Sequence, residues 1–196
     1  MAPLHLLDLA RSSITGKYPT GGAPEKASCV VALSFGNAAG PSGGLVPGAA
    51  NEALAGFIVR NYAEKPVIAQ KEVALAIQDL GRADQLVKVI GPEVAMKDGY
   101  LDTRQVLVEA ESSMQDLRLP DAVLVAHPHH VARAASVAEA LGMEIAVPQD
   151  LPRVWDHESQ QSWTRSPGRW VVRDVLTILW FRVRGWLNDG ARRNPV

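Results

Sequence analysis

Residues 122–135 constrain the fold of this chain most strongly, because a strand-length apolar run leads directly into a helical pattern. The run from Ala122 to Ala126 is typical of a strand buried on both faces. Apolar residues then recur at spacings of three and four, and Gly142 follows them where a left-handed helix stop is expected. The pattern predicts a strand, a polar turn and a helix, with three histidines near the turn: His127, His129 and His130.

The same alternation recurs along the chain. Strands are predicted at residues 28–35, 66–69, 86–90, 122–126 and 143–147, with a helical pattern between each pair. Asp102 fits the N-cap of one helix, and Gln105 completes a capping box. Each helix is long enough to connect parallel strands. The sequence therefore predicts a three-layer α/β/α sandwich with a mostly parallel sheet of about five strands.

The 196 residues are most simply divided into one domain and two flanking segments. Residues 1–27 form an N-terminal leader and loop segment, which contains four leucines suited to a short helix and the loop signature Thr20-Gly-Gly-Ala-Pro. Residues 28–187 form a single α/β domain. Residues 188–196 form a tail.

Composition narrows the function classes. A formal net charge of −1 gives no global reason to expect nucleic acid or an anionic membrane as a partner. Cys29 is the only cysteine, so neither an intramolecular disulfide nor a cysteine-based zinc site can form. The N-terminus does not resemble a signal peptide, and no apolar run approaches the roughly 20 residues of a membrane span. We expect a soluble cytoplasmic protein, and its oligomeric state does not follow from the sequence.

The segment 168–187 returns to a helical pattern that is rich in aromatic residues, after an irregular stretch at 148–167. One interpretation is a C-terminal helix docked on the sheet with its aromatic side buried. The other is an amphipathic helix that binds a membrane surface or a second subunit, as in a non-enzymatic regulatory or scaffold protein. The long apolar pattern favours docking.

His130 and Arg133 are the leading candidates for chemistry, because they lie one helical turn apart at the end of a predicted strand. Arg133 could hold a phosphate or carboxylate, assisted by the partial positive charge and free N–H groups of the helix N-terminus. His130 could act as a general acid or base near neutral pH. A solvated surface arginine is the alternative interpretation.

The three histidines also allow a metal-dependent hydrolase, since imidazole nitrogens bind divalent metals. Such a site needs further ligands, for which the candidates are Glu93, Asp102, Asp156 and His157. A structural alternative has His127 in a local hydrogen bond at the strand end and His129 capping the next helix.

The glycine-rich segment 36–48 follows the first strand, where close backbone approach to a ligand requires glycine. It matches neither the dinucleotide-binding G-x-G-x-x-G nor the P-loop motif. Lys71 and Glu72, after the second strand, would line the same crevice. No G-x-S-x-G motif surrounds Ser34 or Ser42, which argues against an α/β-hydrolase.

Taken in order, these motifs resemble the YdcF/SanA-like family, a bacterial domain of unknown function. The matching features are a first strand ending in a glycine turn (residues 31–36), Asp102-Thr103 opening a helix, His130-Val-Ala-Arg-Ala, and the aromatic C-terminal helix. Gln70-Lys71-Glu72 replaces the family's usual Ser-Gly-Gly, and Gln105-Val106 replaces its Glu-Asn. The chain looks like a divergent member.

The resemblance implies a Rossmann-like sandwich that binds a small anionic or nucleotide-type ligand, with S-adenosylmethionine a candidate, in a role linked to the bacterial envelope. The implied crevice has His130 and Arg133 as its reactive pair. Its ligand-binding residues are expected to be Gly36, Asn37, Lys71, Asp102, Thr103 and His127.

Overall fold

Five parallel strands and their connecting helices form the frame of the molecule in the computed structural model, which describes residues 4–40, 44–91 and 101–187. The helices are α1 (Leu6–Thr15), α2 (Ala49–Asn61), α3 (Lys71–Asp79), α4 (Thr103–Asp116), α5 (Pro128–Ala140) and α6 (Pro167–Val183). The strands are β1 (Cys29–Ala32), β2 (Ala38–Ala39), β3 (Leu45–Val46), β4 (Val67–Gln70), β5 (Leu86–Ile90), β6 (Asp121–Val125) and β7 (Glu144–Ala146).

The strand order in the main sheet is β5-β4-β1-β6-β7, and every neighbouring pair is parallel. The chain moves outward from β1 through β4 to β5, then returns to the other side of β1 with β6. The strand order therefore reverses between β1 and β6, where ligands bind in open α/β sheets. This arrangement confirms the predicted three-layer, Rossmann-like α/β/α fold.

The neighbouring strands β1 and β6 are buried from end to end apart from Asp121 at the start of β6, as their apolar sequences require. Ser28 and Asp121 join their amino-terminal ends, since the backbone N–H of Ser28 donates to Oδ1 of Asp121 at 2.8 Å. The edge strand β5 instead alternates, with Val87 and Val89 exposed. The core is therefore centred on β1 and β6, and their carboxyl ends are held in fixed positions.

Local sequence signals account for the start of α4. The backbone N–H of Gln105 donates to Oδ1 of Asp102 at 2.8 Å, and the Asp102 N–H donates to Oε1 of Gln105 at 3.0 Å. These reciprocal bonds confirm the predicted capping box. Gln70, which follows the strand predicted at 66–69, is the last residue of β4, and α3 begins with Lys71. Glu93 lies outside the described residues.

The glycine-rich segment after β1 contains more structure than its sequence predicts. The two-residue strands β2 and β3 pair antiparallel, with Ala38 opposite Val46. Residues 41–43 between these strands are outside the described part of the chain. The hairpin leads into α2, which begins at Ala49.

The described part of the N-terminal segment belongs to the folded body. Leu9 of α1 is buried in the main core, and α1 packs against both α5 and α6. At its end, Nη2 of Arg153 donates to the Gly16 carbonyl at 2.9 Å. The predicted tail, residues 188–196, lies outside the described residues.

Helix α6 is docked on the rest of the molecule, as the favoured interpretation predicts. Trp170, Asp174, Ile178 and Phe181 form its buried face. Within the described ranges, no helix combines the length and the apolar character needed to cross a membrane.

Candidate functional site

A cleft of about 310 Å³ lies at the carboxyl edge of the sheet, beside the point where the strand order reverses. Its floor is the end of β1 and of β4, one wall is the start of α4 and α5, and the other wall is α6 with the loop before it. The residues that line the cleft include Phe35, Gly36, Gln70, Asp102, Thr103, His130, Arg133, Trp163, Thr164, Trp170, Arg173, Asp174, Thr177, Trp180 and Phe181.

The turn after β1 is held by side chains from two other elements. The Ser34 N–H donates to Oε1 of Gln70 at 3.1 Å, and the Phe35 N–H donates to Oδ1 of Asn51 at 2.8 Å. Nδ2 of Asn51 in turn donates to the Gly36 carbonyl at 2.8 Å. Asn51 is fully buried, so these bonds define the position of the cleft floor. No local sequence signal marks Asn51 or Gln70 for this role.

Gly36 occupies a position that no other residue fits well. Its φ is 76°, and a Cβ atom placed there would lie 2.5 Å from Oγ1 of Thr164 and 2.6 Å from Oγ of Ser159. These hydroxyls bond to each other at 2.8 Å. The glycine predicted to allow close approach to a ligand therefore also allows the loop before α6 to close over the turn.

Arg133 is the centre of a polar cluster that faces the cleft. Its Nε donates to Oδ1 of Asp174 at 2.7 Å, its Nη1 donates to Oγ1 of Thr103 at 2.7 Å, and its Nη2 lies 3.1 Å from Nδ1 of His130. The arginine and the aspartate are 6% and 1% exposed. The predicted pair His130–Arg133 and the predicted Thr103 are thus brought together, and Asp174 is the residue that sequence analysis missed.

The contact with Arg133 fixes the state of His130. A guanidinium can only donate, so Nδ1 of His130 accepts and the neutral ring carries its proton on Nε2. Burial lowers the pKa of His130 well below its ordinary value, and the nearby charge of Arg133 lowers it further. His130 is therefore neutral at pH 7 and offers the cleft a hydrogen-bond donor.

His127 does not line the cleft. It stacks on Phe35, with ring centroids 3.9 Å apart, and is 1% exposed. Its Nδ1 accepts from the His129 N–H at 3.4 Å, so His127, and not His129, is the N-cap of α5. Burial, followed by the charges of His129 and Arg153, lowers its pKa well below the ordinary value.

The N-terminus of α5 is also less available to a ligand than predicted. The N–H of His129 donates to Nδ1 of His127. The N–H groups of His130 and Val131 donate to the His127 carbonyl at 2.7 and 2.9 Å, and Pro128 has no N–H group. The expected free N–H groups are therefore occupied within the helix.

Two other predicted ligand-binding residues lie away from the cleft lining. Lys71 is exposed at the start of α3. Asn37 is buried, and its N–H lies 3.4 Å from Oγ of Ser159. Asp102 and Thr103 do line the cleft, through the N-terminal end of α4.

The three histidines are close together, with the His127 and His129 rings stacked 5.5 Å apart, but each makes a different principal contact. His127 stacks on Phe35, His130 bonds to Arg133, and Nδ1 of His129 donates to the Ser13 carbonyl at 2.8 Å. Within residues 4–40, 44–91 and 101–187, no three His, Cys, Asp or Glu side chains are placed to hold a metal ion. The described geometry therefore provides no ligand set for the predicted hydrolase.

The lining combines both charges with aromatic surfaces. The lining contains two arginines, Arg133 and Arg173, and two aspartates, Asp102 and Asp174, so the formal charges of these four residues add up to zero. The aromatic part consists of Phe35, Trp163, Trp170, Trp180 and Phe181. Such a site selects a ligand by directed hydrogen bonds and by stacking, since it lacks an excess of one charge.

Comparison with known proteins provides no family assignment. No protein-family model, no curated protein and no solved structure matches the chain.

Proposed function

We propose that the chain binds a small ligand with an anionic group and a planar, nucleotide-type part in the cleft between β1 and α6. The observation that carries this proposal is Arg133, a buried arginine held in place by Asp174, Thr103 and His130 at the lining of that cleft. Structural ion pairs need no adjoining cleft, whereas binding sites require both a cleft and fixed polar groups.

The guanidinium has donors left for a ligand. Three of its five N–H groups are used by the bonds to Asp174, Thr103 and His130, which leaves two for a carboxylate or phosphate. The Nε2–H of His130 supplies a further donor. Because the partners fix its orientation, Arg133 pays little ordering entropy when the ligand arrives.

The aromatic residues support a planar ligand part. Trp163 and Trp180 line the same cleft as Phe35, and a base stacked on such rings gains about 1–3 kcal/mol. The volume of about 310 Å³ lies near the lower end of small-molecule sites. This size favours a mononucleotide or a similar ligand over a dinucleotide.

S-adenosylmethionine is a candidate because it combines a base, a carboxylate and cationic groups. The carboxylate suits Arg133. Oδ2 of Asp174 is buried without a hydrogen-bond partner among the described residues and suits a donor on the ligand. Membership of the YdcF/SanA-like family, and with it a nucleotide-type ligand and an envelope-related role, is part of the same proposal. So is a cytoplasmic location, which is inferred from this sequence and not from the family.

Binding is better supported than proton transfer. The lowered pKa of His130 keeps the ring neutral, and its one lone pair is engaged by Arg133. General-base chemistry would require that bond to break first. We therefore assign His130 a hydrogen-bonding role toward the ligand.

The test is calorimetric titration of the full chain with AMP, S-adenosylmethionine and inorganic phosphate. We expect saturable binding of a base-containing ligand, weakened about tenfold by Thr103→Val because Arg133 loses a charge-assisted bond that positions it. Thr15→Val, which removes a hydroxyl on α1, is the matched control and should leave the affinity unchanged. Arg133→Ala is a poor probe, since it leaves Asp174 buried without its partner.

Absence of binding across the three ligands would overturn the proposal. Equal affinities for Thr103→Val and the unchanged chain would place the ligand away from Arg133. Both variants should retain the circular dichroism spectrum of the unchanged chain.

A further inference from the structure

Helix α6 has two apolar faces, and only one of them is buried. Trp170, Ile178 and Phe181 pack inward. Five large side chains point the other way and are exposed by 44% (Leu179) to 78% (Val183): Val172, Leu176, Leu179, Trp180 and Val183. Their spacings of four, three, one and three residues place them on a single stripe. We call this stripe the outer face of α6.

The sequence of α6 and its flanking residues is rich in arginine. Residues 165–187 contain five arginines (Arg165, Arg169, Arg173, Arg182 and Arg184) and one carboxylate, Asp174. That carboxylate is buried and paired with Arg133 of α5. The overall charge of −1 therefore conceals a strongly basic segment.

Tryptophan side chains connect the apolar and basic parts. The guanidinium of Arg184 lies 4.3 Å from the ring centroid of Trp180, and that of Arg173 lies 4.0 Å from the ring of Trp163. An open groove of about 460 Å³ runs along the same surface, between Trp163, Val172 and Leu176. Indole rings with adjacent cations are typical of side chains that lie at a lipid headgroup boundary.

We propose that the outer face of α6 binds the surface of a membrane that contains anionic lipids. The apolar stripe would enter the boundary between headgroups and acyl chains, while the arginines would contact lipid phosphates. With 17 residues, α6 would lie in the plane of the membrane surface. This proposal is independent of the ligand in the cleft.

Charge complementarity selects this partner over a second copy of the chain. A two-fold contact through the outer face would bring the arginines of both copies together without an exposed carboxylate from this segment to compensate them. An anionic lipid surface neutralises the same arginines and buries the apolar stripe.

The geometry also relates the membrane to the cleft. Trp163, Arg173, Thr177 and Trp180 line both the cleft and the groove on α6. A membrane bound to the outer face would therefore adjoin one wall of the cleft. A ligand would then enter and leave next to the lipid headgroups.

The test is co-sedimentation of the full chain with phosphatidylcholine vesicles that either contain or lack phosphatidylglycerol. We expect binding to the anionic vesicles only, weakened by added salt. Arg169→Gln should weaken binding about fivefold, which corresponds to the typical contribution of one arginine near a charged membrane. Arg60→Gln, at an exposed arginine of α2, is the matched control for charge.

The apolar contribution is tested with Leu176→Gln, for which Leu80→Gln is the control, since Leu80 is similarly exposed at the end of α3. Only the α6 variant should reduce binding. Failure to bind anionic vesicles, or equal loss in both variants, would overturn the proposal. So would a dimer in sedimentation velocity that Leu176→Gln dissociates, because the outer face would then serve a second copy. Circular dichroism checks that each variant is folded.

Discussion

Nε of Arg133 lies 2.7 Å from Oδ1 of Asp174, and these two buried side chains join α5 to α6. They are 41 residues apart in the sequence. The contact therefore fixes the C-terminal helix to the edge of the sheet. It also sets the orientation of the Arg133 guanidinium in the cleft.

Asp174→Asn should destabilise the protein by about 3 kcal/mol or more, because it leaves the charge of Arg133 buried without its partner. Urea denaturation measures the change in the free energy of unfolding. Asp84→Asn is the control, since it breaks an ion pair with Arg82 in which the aspartate side chain is 68% exposed. That exposed pair should contribute little to stability, because solvent screens it. Similar losses in the two variants would contradict a special role for the buried pair.

Gly36→Ala should cost more stability than Gly81→Ala. Both glycines have positive φ, 76° and 73°, so both variants incur the backbone penalty of about 1 kcal/mol. A Cβ atom at Gly81 meets no atom within 4 Å, whereas at Gly36 it meets the Thr164 and Ser159 hydroxyls. We expect an additional loss of about 1–3 kcal/mol at Gly36 in thermal or urea unfolding. Equal losses would show that the loop before α6 moves away freely.

Stability should fall as the pH drops below the ordinary histidine pKa of about 6.5. Burial, reinforced by neighbouring positive charge, lowers the pKa of His127 and His130 in the folded state, so only the unfolded chain takes up these protons in that range. The free energy of unfolding is therefore highest above about pH 6.5. Below that pH it falls by up to about 1.4 kcal/mol per pH unit for each of these histidines.

Urea unfolding at several pH values measures this slope. His130→Gln should reduce it by the share of one histidine. A slope that is identical in His130→Gln and the unchanged chain would contradict the assignment.

Asp102→Ala should destabilise the protein by about 1 kcal/mol, because α4 loses the acceptor of its capping box. Asp102→Asn should restore most of this loss. Asp116→Ala, at the other end of the same helix, should be neutral or slightly stabilising, since a carboxylate at a helix C-terminus is unfavourable. Chemical denaturation of the three variants gives the comparison. The absence of any loss in Asp102→Ala would show that water replaces the cap.

The layers and most elements of the fold follow from local signals. The apolar runs predict the five strands of the main sheet to within a few residues, and the capping box places the start of α4 correctly. The sequence also predicts that His130 and Arg133 act together, since helical geometry alone brings them into proximity. These features depend on residues near one another in the chain.

The missed features depend on distant contacts. Nothing local marks Asp174 as the partner of Arg133, since an aspartate among apolar helical residues could also be exposed. The same limit applies to His127. Its place at a strand end predicts contact with a ligand, but its ring stacks on Phe35, 92 residues earlier in the sequence. For α6, the sequence offers docking and an outward amphipathic face as alternatives, whereas the helix has one buried and one exposed apolar face.

The position of β1 between β4 and β6 also has a consequence during synthesis. β1, α2, β4, α3 and β5 leave the ribosome before β6, yet the other edge of β1 pairs only with β6, and Ser28 and Asp121 at that junction are 93 residues apart. A nascent chain can thus assemble half of its sheet while an edge of valines and alanines stays open to unwanted pairing. The rate at which translation reaches Asp121 therefore determines how long this edge is exposed to aggregation.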